Sequence, residues 1–107
     1  MNKNEQSIIN LLSMAQRANK LLSGEFAVEK AVPAGKVKLL LVAADASEAA
    51  KKQYADMSRT HNVPLYHILT KETLGQGIGK NYRAVAGLTD AGFSKALLKL
   101  LDTMPKN

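Results

Sequence analysis

The sequence predicts an α/β fold, a three-layer α/β/α sandwich with helices on both faces of a sheet. Three observations predict it. Helical and strand patterns alternate along the chain instead of segregating. Residues 37–44, Val-Lys-Leu-Leu-Leu-Val-Ala-Ala, form a nearly unbroken apolar run, the mark of a strand buried on both faces. The first and last helical segments carry apolar residues at three- and four-residue steps, each giving a stripe to lay on a sheet.

Ile8, Leu11, Leu12, Ala15, Ala18 and Leu22 set the period of the first helix, with Asn10, Ser13, Arg17 and Lys20 on its other face. Residues 20–23 read as a short extended piece. Ser23 is expected to cap a second helix opening at Gly24, which stops before Pro33-Ala34-Gly35. After the apolar strand, Asp45-Ala46-Ser47 caps a helix over 48–59, broken by His61-Asn62. Residues 63–68 form a second strand. Residues 70–80, with Gly75, Gly77 and Gly79, read as one helical turn followed by a loop. A third strand covers 83–88, and Thr89-Asp90 caps a last helix carrying Phe93, Leu97, Leu98 and Leu101. The polar ends, 1–4 and 103–107, are expected to fray.

At 107 residues the chain has room for one core, so a single domain over 1–107 is expected. It has no cysteine, which excludes disulfides, thiolate metal sites and a cysteine nucleophile. It has no apolar leader and no window long enough to span a membrane, so the expectation is a cytoplasmic protein with no membrane partner. Fifteen Lys and Arg face nine Asp and Glu, a formal charge of +6. In a small soluble domain that excess points to a polyanion, with nucleic acid first.

Catalytic candidates are few. His61 and His67 are the two histidines; six residues apart and without a carboxylate pattern, they do not make a metal site. No Ser/His/Asp order or carboxylate pair stands out, so no enzyme, no metal and no cofactor are expected. The cluster Leu74-Gly75-Gln76-Gly77-Ile78-Gly79-Lys80 fails as a phosphate-binding loop, because Asn81 follows the lysine and leucine holds position 74. A flexible turn and a loop whose bare backbone meets a larger ligand both fit it, the second with Leu74 and Ile78 against that ligand. Phe26 and Lys30, four apart, share a helix face. On spacing alone, that face suits a base plane and a phosphate, and equally suits a Phe26 tucked under a loop beside a solvated Lys30.

Taken in order, Leu22-Ser23-Gly24-Glu25 with Lys30, the run 38–47, the glycine cluster and the stretch 83–93 resemble the L-seven-Ae / L-thirty-e family of kink-turn RNA-binding ribosomal proteins, above all its bacterial YlxQ-type members. The likeness covers residues 7–101. It implies an α/β/α sandwich around a mixed four-stranded sheet. It implies a non-catalytic protein acting as a monomer on a kinked, bulged RNA helix, with ribosomal RNA or the ribosome among the candidate partners. The site it implies has two parts. Gly24, Glu25, Phe26, Ala27 and Lys30 would meet the sheared G·A pairs of the kink, and Thr73, Leu74, Gly75, Gln76 and Gly77 would cover the nucleotide turned out of the bulge. The archaeal ribosomal members carry Gly-Thr-Asn-Glu where this chain has Gly24-Glu25-Phe26-Ala27, so at this helix start the backbone amides of Gly24 and Glu25 are the groups left to face RNA. The alternative within the same fold is a protein-interaction module with weak or lost RNA binding.

Overall fold

The structure, a computed structural model, describes residues 3–102. Nine elements follow in order: α1 (Lys3–Arg17), β1 (Leu21–Ser23), α2 (Glu25–Ala31), β2 (Leu39–Val42), α3 (Glu48–His61), β3 (Leu65–His67), α4 (Lys71–Gly77), β4 (Val85–Leu88) and α5 (Ala91–Asp102). The strands form one mixed sheet in the order β1-β4-β2-β3. β4 runs antiparallel to β1 and β2, and β3 runs parallel to β2.

Side-chain alternation along the strands builds two cores. Leu39, Leu41, Ala86 and Leu88 point to one face, where they meet Ile8, Leu12 and Ala15 of α1, Leu74 of α4 and Leu97 of α5. Leu40, Val42 and Val85 point to the other, against Val28 and Ala31 of α2 and Tyr54 of α3. All eight residues of β2 and β4 are buried, as expected for strands covered on both sides.

The helix boundaries follow local chemistry. The Ser47 hydroxyl accepts the Ala50 N–H and starts α3; Asn62, left-handed at φ 58°, ends it. The Asp90 carboxylate accepts the Phe93 N–H at 3.0 Å at the head of α5. Three expectations are corrected. Lys3 and Asn4 belong to α1 instead of fraying; residues 1–2 and 103–107 lie outside the described residues. Gly24 takes the cap position of α2 assigned to Ser23, because the chain must turn there at φ 92° and ψ 154°, a backbone region that glycine alone enters readily. The Ser23 hydroxyl instead accepts from the Arg83 Nε at 3.4 Å.

The third correction concerns the glycine cluster, most of which is helix. Thr70 and Thr73 form a reciprocal cap at the head of α4, and Leu74 and Ile78, one turn apart, are buried in the first core. Capping and burial together offset the weak helix propensity of Gly75 and Gly77.

Tyr54 ties the α2–α3 layer together. Its ring is fully buried, and its hydroxyl donates to the Glu29 carboxylate at 3.4 Å, while Gln53 donates to the other carboxylate oxygen at 2.7 Å. Burial, followed by the negative charges of Glu29 and Glu25, pushes the Tyr54 hydroxyl well above its ordinary value of 10.0. The native state therefore keeps this proton where the unfolded chain releases it, so the stabilisation is whole below pH 10 and falls as pH rises past it. Urea unfolding between pH 8 and about 11 should lose up to about 1.4 kcal/mol per pH unit from this group. In Tyr54→Phe that alkaline loss should shrink, and an unchanged slope would show that the hydroxyl is not held neutral.

Candidate nucleic-acid interface

Four chain segments meet at one end of the sheet. β1, β2 and β3 finish there and β4 begins there, as the registers Ser23↔Ala86, Val42↔Val85 and Val42↔His67 require. The Gly24 N–H donates to the Val85 carbonyl at 3.0 Å, fixing the head of α2 to the start of β4. The Arg83 N–H donates to the Lys71 carbonyl at 3.1 Å, fixing the head of α4 to the segment before β4. Arg83 thus links both parts of the sequence-predicted site: its Nε reaches Ser23, and a Cβ on Gly24 would lie 3.8 Å from that nitrogen.

On α2 the predicted residues are presented outward. Phe26 is 84% exposed, Glu25 and Lys30 are exposed, and Ala27 is half-buried. The bland reading of Phe26, tucked under a loop, is therefore excluded. Glu25 has a structural role of its own, since a carboxylate in the first turn complements the helix dipole. Phe26, Ala27 and Lys30 border one groove.

On α4 the outcome differs. Leu74 and Gly75 are buried, Thr73 is occupied in the helix cap, and Gly77 packs against Ile9. Gln76 alone of the five is exposed. Leu74 and Ile78 belong to the core and so cannot lie on a ligand. The solvent-facing groups sit just downstream instead. Lys80, Asn81 and Tyr82 border a cleft of about 300 Å³ with Glu72 and Gln76, and Tyr82 is 64% exposed. Sequence reasoning missed Tyr82 and Asn81 as candidates. The available signal was an aromatic between two cations, Lys80 and Arg83, directly after the glycines.

Among the described residues no three His, Asp or Glu side chains gather as metal ligands would. No helix there is long and apolar enough to cross a membrane. His61 and His67 are both exposed, His67 on the edge strand β3. The surface has exposed aromatics and cations, suited to stacking and charge attraction.

A sequence profile of the Ribosomal protein L7Ae/L30e/S12e/Gadd45 family matches residues 6–98. The chain belongs to this family. Two relatives are each called RNA-binding protein YlxQ. The one from Bacillus subtilis is 39% identical over 92 residues, covering 86% of this chain and 92% of its own. The one from Enterococcus faecium is 37% identical over 99 residues, covering 92% and 95%. A structure of a protein of unknown function from Bacillus halodurans superposes with a TM-score of 0.84 at 40% identity, covering 89% of this chain and 96% of that one. The Giardia lamblia 15.5kD RNA binding protein shares the fold, with a TM-score of 0.75 at 20% identity, covering 95% and 88%.

Within this L7Ae-family chain, Gly75 is the fixed point of the second site half. A Cβ there would stand 2.2 Å from the Asn81 carbonyl oxygen and 3.1 Å from the Tyr82 Cα, so the returning backbone leaves no room for one. Gly75→Ala should cost roughly 1–3 kcal/mol as the segment is pushed off, lowering the melting midpoint by roughly 4–8 °C for each kcal/mol. A melt indistinguishable from the parent's would show that Asn81 and Tyr82 are not held against α4.

Proposed function

We propose that this chain is a non-catalytic RNA-binding protein, a single cytoplasmic domain acting as a monomer, that captures a kinked and bulged RNA helix. The observation that carries the reading is the pairing of exposed aromatics with exposed cations, Phe26 with Lys30 on α2 and Tyr82 with Lys80 beside the Arg83 link; among the described residues neither lysine is ion-paired. Membership of a ribosomal-protein family and the names of the two YlxQ relatives support it. Structured RNA of the ribosome is the partner class that the family name favours.

The mechanism follows from what RNA offers. The deep major groove of an A-form stem is closed to side chains, whereas a bulge exposes unstacked bases and a bent backbone. Phe26 and Tyr82 offer ring faces for such bases. Lys30 and Lys80 supply charge to the adjoining phosphates. The site comprises the α2 residues Gly24, Glu25, Phe26, Ala27 and Lys30, with Gln76 and residues 80–83 replacing the buried face of α4. Glu25 is carried at the head of α2, where its charge serves the helix, and the backbone there makes the RNA contact. Preference for the bent form shifts a bent–straight equilibrium by the ratio of the two affinities. No reacting group is needed.

Binding to a bulged duplex should weaken steeply with salt, by about 0.7–0.9 in log K per log unit of salt for each phosphate neutralised. Lys30→Glu should weaken binding to all RNAs and flatten that slope by about one contact. Phe26→Ala should leave the slope alone and weaken bulged RNA more than straight duplex, by roughly 1–3 kcal/mol. Gel shifts of bulged and straightened versions of one RNA at several salt concentrations read all three. Absence of any RNA affinity at low salt would instead favour the protein-interaction alternative.

A further inference from the structure

Lys20, Lys36 and Lys38 lie at the end of the sheet opposite Gly24. The register puts two of them there. Leu21 of β1 and Leu39 of β2 both pair with Leu88, from opposite sides of β4. Residues 20 and 38 therefore flank Thr89, whose N–H donates to the Lys20 carbonyl at 3.0 Å, while the Lys38 N–H donates to the Leu88 carbonyl at 2.7 Å. With neighbouring strands ~4.8 Å apart, the two lysine backbones stand ~10 Å from one another. Lys36 joins from the turn after α2, its N–H held by the Ala31 carbonyl at 3.1 Å. All three are exposed, and among the described residues none is ion-paired. Near this end the Asp90 carboxylate is engaged by the Phe93 N–H, and the Glu29 carboxylate accepts from Gln53 and Tyr54.

A groove of about 330 Å³ runs from the proposed RNA site to Lys36, the member of this cluster that borders it. Leu22, Ala27 and Ala31 line it, Phe26 stands at it, and Lys30 and Lys36 both border it. α2 runs from the Gly24 end towards the lysine end, and its seven residues span ~10 Å. Lys30, Lys36, Lys38 and Lys20 thus form a track leading away from the bulge-binding end. A bulged RNA has two stems, and one that leaves along this groove lays its backbone against these lysines. We propose that this lysine track holds the sugar–phosphate backbone of one such stem, beyond the kink. The inference rests on the RNA-binding reading and adds a second contact, made to a regular stem and blind to its sequence. Lysines suit it, since a point charge on a flexible stem follows a phosphate without demanding fixed geometry. An acidic protein surface would be the other occupant of such a track.

The test uses the full chain and a labelled bulged RNA whose stems are trimmed, one at a time, from about ten to about four base pairs. The parent protein should lose about tenfold in affinity when one stem is trimmed and little when the other is. Lys36→Gln/Lys38→Gln should bind the long-stemmed RNA about tenfold more weakly, with a salt slope lower by about 1.4–1.8, and should no longer notice the trimming. Both side chains are exposed, so an unchanged melt certifies the fold of the variant. Parent binding that ignores both stem lengths, or a double variant with parental affinity and slope, overturns the stem contact while leaving the bulge site standing. Loss of affinity for polyglutamate in the double variant, with RNA affinity intact, overturns it in favour of an acidic protein partner. No binding of either RNA by the parent protein defeats the underlying RNA reading itself.

Discussion

β4 is the last strand along the chain and the second across the sheet, hydrogen-bonded on both edges. Its pairing with β1 and β2 decides nearly everything else. It sets the alternation that splits Leu88 from Val85 and so divides the molecule into two cores. It brings residues 20 and 38 to one end of the sheet and residues 24 and 83 to the other. A one-residue slip would turn Ala86 and Leu88 to the wrong face and bury neither set properly. Because both faces are covered by helices, the register is specified from both sides at once.

The two layers of helices do different work. α1 and α5 flank Leu39, Leu41 and Leu88 and carry much of the first core. The opposite layer is thinner: α2 is only seven residues, and it is secured by Val28 and Ala31 below and by the Tyr54–Glu29–Gln53 network at its side. That arrangement leaves the outward face of α2 free, which is why an aromatic and a lysine can stand there without being drawn into packing. Gly75 plays the matching role on the other half. By letting the Asn81–Tyr82 backbone pass against α4, it aims Tyr82 outward and keeps Arg83 in reach of Ser23.

Local patterns made much of this legible. The apolar run at 37–44 and the capping residues Ser47 and Asp90 correspond directly to β2, α3 and α5. The four-residue step from Phe26 to Lys30 placed both on one face. What could not be read had a tertiary cause. Gly75 looks like a loop residue to any local propensity, yet it is glycine because another backbone passes within reach of its absent Cβ. Leu74 and Ile78 have helical spacing, but three nearby glycines hid it. Ser23 has the right side chain for a cap; the backbone angles at Gly24 decided against it. Tyr82 belongs to no periodic pattern, and only the fold shows it exposed on a segment held against α4 at Gly75.

The hydrogen bond from Gly24 to Val85 joins residues 61 positions apart in the chain. During synthesis, which proceeds at about 5–20 residues per second, the head of α2 is therefore complete in sequence several seconds before the strand that anchors it leaves the ribosome. Until then the chain holds half a surface, with β1 lacking its partner. A ligand gripping residues on both sides of that seam would act as a clasp on the last strand to arrive, contributing RT ln(1 + [L]/Kd) to its retention. For such a ligand, recognition would wait on closure of the sheet, and binding would hold that closure in place.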